Sequence, residues 1–83
     1  MDFETACVNC KAFTKQPPNE VYLDFYGLYK QVTVGDVNIN RPGLLDLTGR
    51  AKYDAWLSRK GMSEAAAKAA YVALYEKYSP IYA

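Results

Sequence analysis

Apolar residues recur along most of this chain at helical spacing, and regular Val/Ile/Thr alternation of the kind a strand needs is scarce. Phe3, Ala6, Cys7, Cys10 and Phe13 follow the i, i+3, i+4, i+7 pattern, which predicts a first helix over about Asp2 to Thr14 with Asp2 as its N-cap. Gln16-Pro17-Pro18-Asn19 ends it, because proline lacks an amide hydrogen and restricts the residue before it. Asn19 is then expected to cap a second helix, with Glu20 in the first turn where the dipole favours an acid. Gly35 suits the left-handed position just past its end. A third helix is expected from about Gly49 to Lys60, capped by Thr48 and closed by Gly61. A fourth, capped by Ser63 with Glu64 in its first turn, continues to about Tyr78 and must end by Pro80.

The second helix organises the rest. At about 100° per residue, Val21, Phe25, Leu28 and Val32 fall on one side, as a core stripe should. Tyr22, Tyr26, Tyr29 and Lys30 fall on a neighbouring side, roughly a quarter turn away. Three phenol rings ending in a cation suit an aromatic anion better than they suit packing. Between Gly35 and Thr48 there is no periodicity, only turn residues with Val37, Ile39, Leu44, Leu45 and Leu47 among them. So long a loop in so small a chain is uncommon and tends to be functional. Its apolar residues lead us to expect it packed down on the helices. Equally, it reads as a crossover between helices that are not adjacent antiparallel neighbours.

Composition narrows the class. With 83 residues the chain is expected to be one domain, and 51% apolar against 23% charged residues argues against disorder. Eleven alanines favour helix, so the fold class is all-α, a four-helix bundle. A net charge of +1 excludes general nucleic-acid binding, which rests on a cationic excess. No secretory leader and no membrane-length apolar run is visible, so a cytoplasmic location with reduced thiols is expected. The chain has no histidine, which removes Ser-His and Cys-His catalysis and most zinc sites.

Other patterns have ordinary readings. Cys7-Val8-Asn9-Cys10 is a CxxC, but it lies inside a helix with both sulfurs on the apolar stripe and has no second pair to complete a metal site. Core packing is its reading. Tyr71, Tyr75, Tyr78 and Tyr82 share one face of the fourth helix; Tyr75 and Tyr78 read as core with hydroxyls at the rim, and Tyr71 stays open between core and site. Lys11 and Lys52 would each be a snorkelling surface lysine unless a site drew them together.

The run Tyr26-Gly27-Leu28-Tyr29-Lys30-Gln31-Val32-Thr33-Val34-Gly35-Asp36-Val37-Asn38 leads on to Arg41-Pro42-Gly43-Leu44-Leu45-Asp46. Ala51-Lys52-Tyr53-Asp54-Ala55-Trp56 and Lys60-Gly61 follow. These linked blocks resemble the acyl-CoA-binding protein family, and the resemblance extends from Phe3 to Tyr78. It implies a four-helix bundle that holds medium- to long-chain fatty acyl-CoA as its ligand, acting as an intracellular carrier and pool former without catalysis. Position by position, it implies that Tyr26, Lys30 and Lys52 hold the 3′-phosphate. Tyr29 and Tyr71 would line the adenine region, with Lys11 approaching from the first helix. Tyr22, Leu23 and Cys7 would border the more apolar parts, and Gly27 and Leu28 fall within the same block. No metal, no cofactor and no catalytic residue is implied. The expected state is a monomer without stable membrane insertion, touching acyl-CoA-using enzymes transiently.

The chain departs from the family pattern at Thr48, where many members carry lysine, at Tyr53 for a common tryptophan, and at Tyr22 for a smaller flexible apolar residue. Cys7 and Cys10 also stand where small apolar residues are usual. A helical protein-interaction module with a vestigial lipid site is the competing reading; a thioesterase is the third, against which stands the absence of histidine and of any visible nucleophile–base pair.

Overall fold

The computed structural model describes all 83 residues as four helices: α1 Phe3–Lys11, α2 Asn19–Thr33, α3 Leu47–Leu57 and α4 Glu64–Tyr82. Helix α2 packs on both α3 and α4, and α1 packs on α4. The core is the expected stripe of α2, with Val21, Phe25, Leu28 and Val32 buried, joined by Phe3 and Ala6 of α1 and Ala67 and Tyr71 of α4. Cys7, Cys10, Phe13, Tyr75, Tyr78 and Tyr82 pack half-buried around it, as their helical spacing required. The molecule is flattened, 36 × 27 × 15 Å.

The starts of α2 and α3 lie side by side, since Asn19, Tyr22 and Leu23 share a cleft with Leu47, Thr48 and Lys52. Their far ends also meet, where the Trp56 indole N–H donates to the Gly35 carbonyl at 2.8 Å. The two helices therefore run in the same direction, and the long connection between them is a crossover that returns the chain along the molecule. Midway, Gly27 lies against the Ala55 backbone so closely that a Cβ there would come within 2.8 Å of the Ala55 carbonyl carbon. Glycine at this position is what lets α2 and α3 approach.

The crossover is held by polar contacts rather than by its apolar side chains, contrary to expectation. Arg41 grips Asp54 of α3 through two hydrogen bonds of 3.0 and 2.8 Å. The Asp36 carboxylate accepts the Gly61 N–H at 2.8 Å. Ile39, Leu44, Leu45 and Leu47 all remain exposed, and Val37 is half-buried. Gly35 and Gly61 both take positive φ, 96° and 92°, which only glycine adopts without strain.

Five helix ends differ from expectation. Helix α1 stops at Lys11 because Thr14 and Lys15 turn their N–H groups to the Tyr82 carbonyl, at 2.9 and 3.1 Å. Asn19 is the first residue of α2 and not its cap. Pro18 holds the cap position, and its carbonyl accepts the Val21 and Tyr22 N–H groups at 3.0 and 3.1 Å. Helix α3 begins two residues early because Asp46, not Thr48, caps it by accepting the Gly49 N–H at 2.9 Å. It ends at Leu57, where the chain tightens into turns through Arg59 and Lys60. Helix α4 continues through Pro80 to Tyr82. Proline there removes one hydrogen bond near the helix end, and the Tyr82 carbonyl it carries forward closes α1.

Candidate functional site

Two open grooves adjoin the second stripe of α2. The greater, of about 570 Å³, has α1 on one side (Cys7, Cys10, Lys11) and α2 on the other (Tyr22, Phe25, Tyr26, Tyr29, Lys30). Phe13 and Pro17 close one end, and Tyr71 of α4 reaches it from the core. The lesser, of about 230 Å³, lies between the starts of α2 and α3 and is bordered by Leu23, Leu47, Ala51 and Lys52. Tyr22 lines both, so its ring is the partition between them.

Helical spacing brings the cations and phenols together. Tyr26 and Lys30 are four residues apart and share a face. Lys52 arrives from α3 and places its Nζ 5.5 Å from the Tyr26 ring centre and 5.9 Å from that of Tyr22. Lys30 Nζ lies 4.9 Å from the centre of the Trp56 ring. Such contacts are worth about 0.5–1 kcal/mol with exposed rings and up to about 2 kcal/mol against a buried ring such as Trp56. None of Lys11, Lys30 and Lys52 is ion-paired with a carboxylate. Lys30 at the greater groove and Lys52 at the lesser, each uncommitted to an acid, form an anion-binding patch with Tyr26, while Phe13, Phe25 and Pro17 supply apolar lining and Lys11 stands on the α1 wall.

Tyr71 differs from the other phenols. It is 5% exposed, with its ring edge-on to Phe3 at 5.0 Å and to Phe25 at 5.2 Å. Burial pushes its hydroxyl well above the ordinary tyrosine range, and the neighbouring Cys10 and Cys7 thiols push it further. Burial likewise raises both thiols, against a lowering by the Tyr71 hydroxyl. Thiols with raised pKa are protonated at neutral pH, so they line the groove as small apolar groups and not as nucleophiles.

Of the residues singled out from the sequence, Lys11, Tyr22, Tyr26, Tyr29, Lys30 and Tyr71 meet at the greater groove, and Leu23 and Lys52 lie at the lesser. Gly27 and Leu28 line neither: Leu28 is in the core and Gly27 is pressed against α3. Cys10, Phe13, Pro17 and Phe25 also line the greater groove. For Cys10, Phe13 and Phe25 the signal in the sequence was the core stripe itself, which extends past the buried centre onto the groove wall; Pro17 was legible only as a helix stop. Of the family departures, Thr48 borders the lesser groove and Tyr53 borders neither.

An all-α bundle with a cationic, tyrosine-lined groove end and an apolar continuation defines a helical binding protein for an amphiphilic anion. The model of the acyl-CoA-binding protein family matches residues 1–75. An acyl-CoA-binding protein of Dictyostelium discoideum is 51% identical over 81 residues, covering 98% of this chain and 96% of that protein. An acyl-CoA-binding protein homolog of Drosophila melanogaster is 43% identical over 74 residues, covering 89% and 86% respectively. Among solved structures, Oryza sativa acyl-CoA-binding protein 2 superposes with a TM-score of 0.86 at 38% identity, over 98% of this chain and 94% of that one. The yeast acyl-coenzyme A binding protein gives 0.77 at 34% identity, over 96% and 93%. The chain belongs to the acyl-CoA-binding protein family.

Proposed function

We propose that this chain, as one acyl-CoA-binding domain, binds medium- to long-chain fatty acyl-CoA reversibly and serves as a cytoplasmic carrier and pool former. It acts on the ligand without catalysis and needs no cofactor. The observation that carries this reading is that Lys52 of α3 comes within 5.5 Å of the Tyr26 ring centre, and that Tyr26 and Lys30 of α2 line a groove whose lining is mostly apolar. These three residues are assigned to the 3′-phosphate, Tyr29 and Tyr71 to the adenine region, and Lys11 to the rim. Tyr22, Leu23 and Cys7 border the ligand's apolar parts.

Magnitudes favour the assignment. Leaving the buried Trp56 ring costs Lys30 up to about 2 kcal/mol, whereas charge-assisted hydrogen bonds to a phosphate return about 1.5–3 kcal/mol each. Stacking of a base on an aromatic face adds about 1–3 kcal/mol. Each methylene withdrawn from water adds about 0.8 kcal/mol, so ten offer about 8 kcal/mol before the costs of association. Neither free CoA nor free fatty acid collects both contributions, so selectivity for the thioester follows from needing both ends.

Titration calorimetry with palmitoyl-CoA is the test, with CoA and palmitate as controls. One equivalent should bind, and both controls should bind more weakly by at least a factor of about 100, as losing either contribution requires. Trp56, the single tryptophan, should change its emission in step as Lys30 departs from it. Lys30→Met should abolish that optical change and weaken binding roughly tenfold or more. A flat titration with palmitoyl-CoA would end the proposal.

A further inference from the structure

The crossover delivers Gly43-Leu44-Leu45-Asp46-Leu47 into α3, and its three leucines stand in solvent. Leu44 is 78% exposed, Leu45 101% and Leu47 75%, so none of them packs on the bundle. Single exposed leucines are ordinary, but three within four residues at a turn make a contiguous apolar tip. The turn is closed by the Asp46 N–H donating to the Gly43 carbonyl at 3.0 Å, and Asp46 then caps α3. A rigid element therefore holds the tip outward. Arg50 and Lys52 follow it within one or two helical turns, and neither has a carboxylate partner. The nearby Arg41 is paired with Asp54.

We propose that this tip touches lipid bilayers carrying anionic headgroups, with Leu44 and Leu45 entering the interface, and that the contact speeds passage of ligand between bilayer and groove. The second half of that statement rests on the acyl-CoA reading; the first does not. The side chains favour a bilayer over a protein partner. Leucine is under-represented among the residues that carry protein–protein affinity, where Trp, Tyr and Arg dominate. Aliphatic side chains beside cations are how peripheral segments sit on anionic membrane surfaces. The apolar surface is also continuous, because Leu47 borders the lesser groove together with Leu23 and Ala51. A long acyl chain partitions into bilayers by the same burial of methylenes that holds it in a groove. Transfer at this edge spares the chain an exposure to water. No helix is long and apolar enough to cross a membrane, so the contact is peripheral and reversible.

The test floats the full chain, without ligand, on vesicles of phosphatidylcholine alone or phosphatidylcholine with phosphatidylserine. Binding is expected to the anionic vesicles, to weaken with salt, and to fall roughly tenfold or more in Leu44→Ser/Leu45→Ser. Stopped-flow extraction of a fluorescent acyl-CoA from the same vesicles should slow several-fold in that variant, with calorimetric affinity for palmitoyl-CoA unchanged. Equal vesicle binding by native chain and variant, or none by either, overturns the proposal. So does a sedimentation result in which Leu44 and Leu45 instead support a dimer. Vesicle binding that survives a flat calorimetric titration supports the bilayer contact while overturning the ligand assignment.

Discussion

Tyr71 shows how one side chain serves core and site together. Its ring fills the space between Phe3 and Phe25, while its hydroxyl sits by the two thiols on the groove wall. Truncating a buried aromatic ring costs about 3–5 kcal/mol, a large part of the 5–15 kcal/mol that holds a typical domain together. Loss of binding in Tyr71→Ala therefore reports a damaged core as much as a missing ligand contact. Tyr71→Phe separates the two, because it keeps the ring and removes the hydroxyl. Its urea midpoint is expected close to native, with affinity for palmitoyl-CoA reduced about tenfold or less, the scale of one neutral hydrogen bond. A Phe variant that binds as the native chain does would take the Tyr71 hydroxyl out of the ligand set. Lys30 needs no such separation, since its ammonium bears on the Trp56 ring and truncating it opens no core cavity.

The start of α3 gives the corresponding question for an element. Asp46 and Thr48 are both good capping residues two positions apart, and only the direction of the chain entering the helix decides between them. The crossover arrives through the Gly43–Asp46 turn, which sets Asp46 with its carboxylate on the Gly49 N–H. Asp46→Ala should cost about 1 kcal/mol, within the 0.5–2 kcal/mol seen for such caps, and Thr48→Ala much less. Urea unfolding of both variants checks this, and the reverse ranking would restore Thr48 as the cap. The same contrast explains what could be read in the sequence. The stripes of α2 were legible because periodicity is a property of the helix alone, and Val21, Phe25, Leu28 and Val32 are buried as it demands. The linked blocks from Tyr26 to Trp56 carried the family. Contacts between distant segments were not legible. Nothing near Thr14 signals that its N–H closes on Tyr82, and nothing in Pro80 shows that α4 outlasts it. The crossover's leucines looked like core because hydrophobicity was the only signal they gave, whereas Arg41 and Asp36 already hold the loop down.

At the scale of the molecule, four hydrogen bonds close the end of the bundle where α2, the crossover and the α3–α4 turn meet. The Gln31 amide donates to the Met62 carbonyl and to the Asp36 carboxylate, each at 2.9 Å. Asp36 also accepts the Gly61 N–H, and the Trp56 indole holds the Gly35 carbonyl. The Gly61 amide, and after it Gln31, keep the Asp36 carboxyl below the ordinary carboxylate range. Asp54 is lowered in the same direction by Arg41, and Asp2 by Thr5. For a carboxyl whose pKa is lower folded than unfolded, the unfolded chain takes up its proton first as pH falls. Its contribution to stability is therefore present in full above the unfolded value near pH 4, and it is lost as pH falls through the folded value. With no histidine in the chain, no side chain of ordinary pKa titrates between pH 5 and 8 to mask this. Urea midpoints are accordingly expected to be flat from pH 8 to pH 5 and to decline steadily below pH 4. Asp36→Asn keeps an acceptor for Gly61 but cannot titrate, so it should unfold earlier at pH 6 and show a shallower decline below pH 4. The two curves should draw together toward pH 2, where the native carboxyl has lost its charge as well. Parallel curves down to pH 2 would show that Asp36 holds the crossover by its shape and not by its charge.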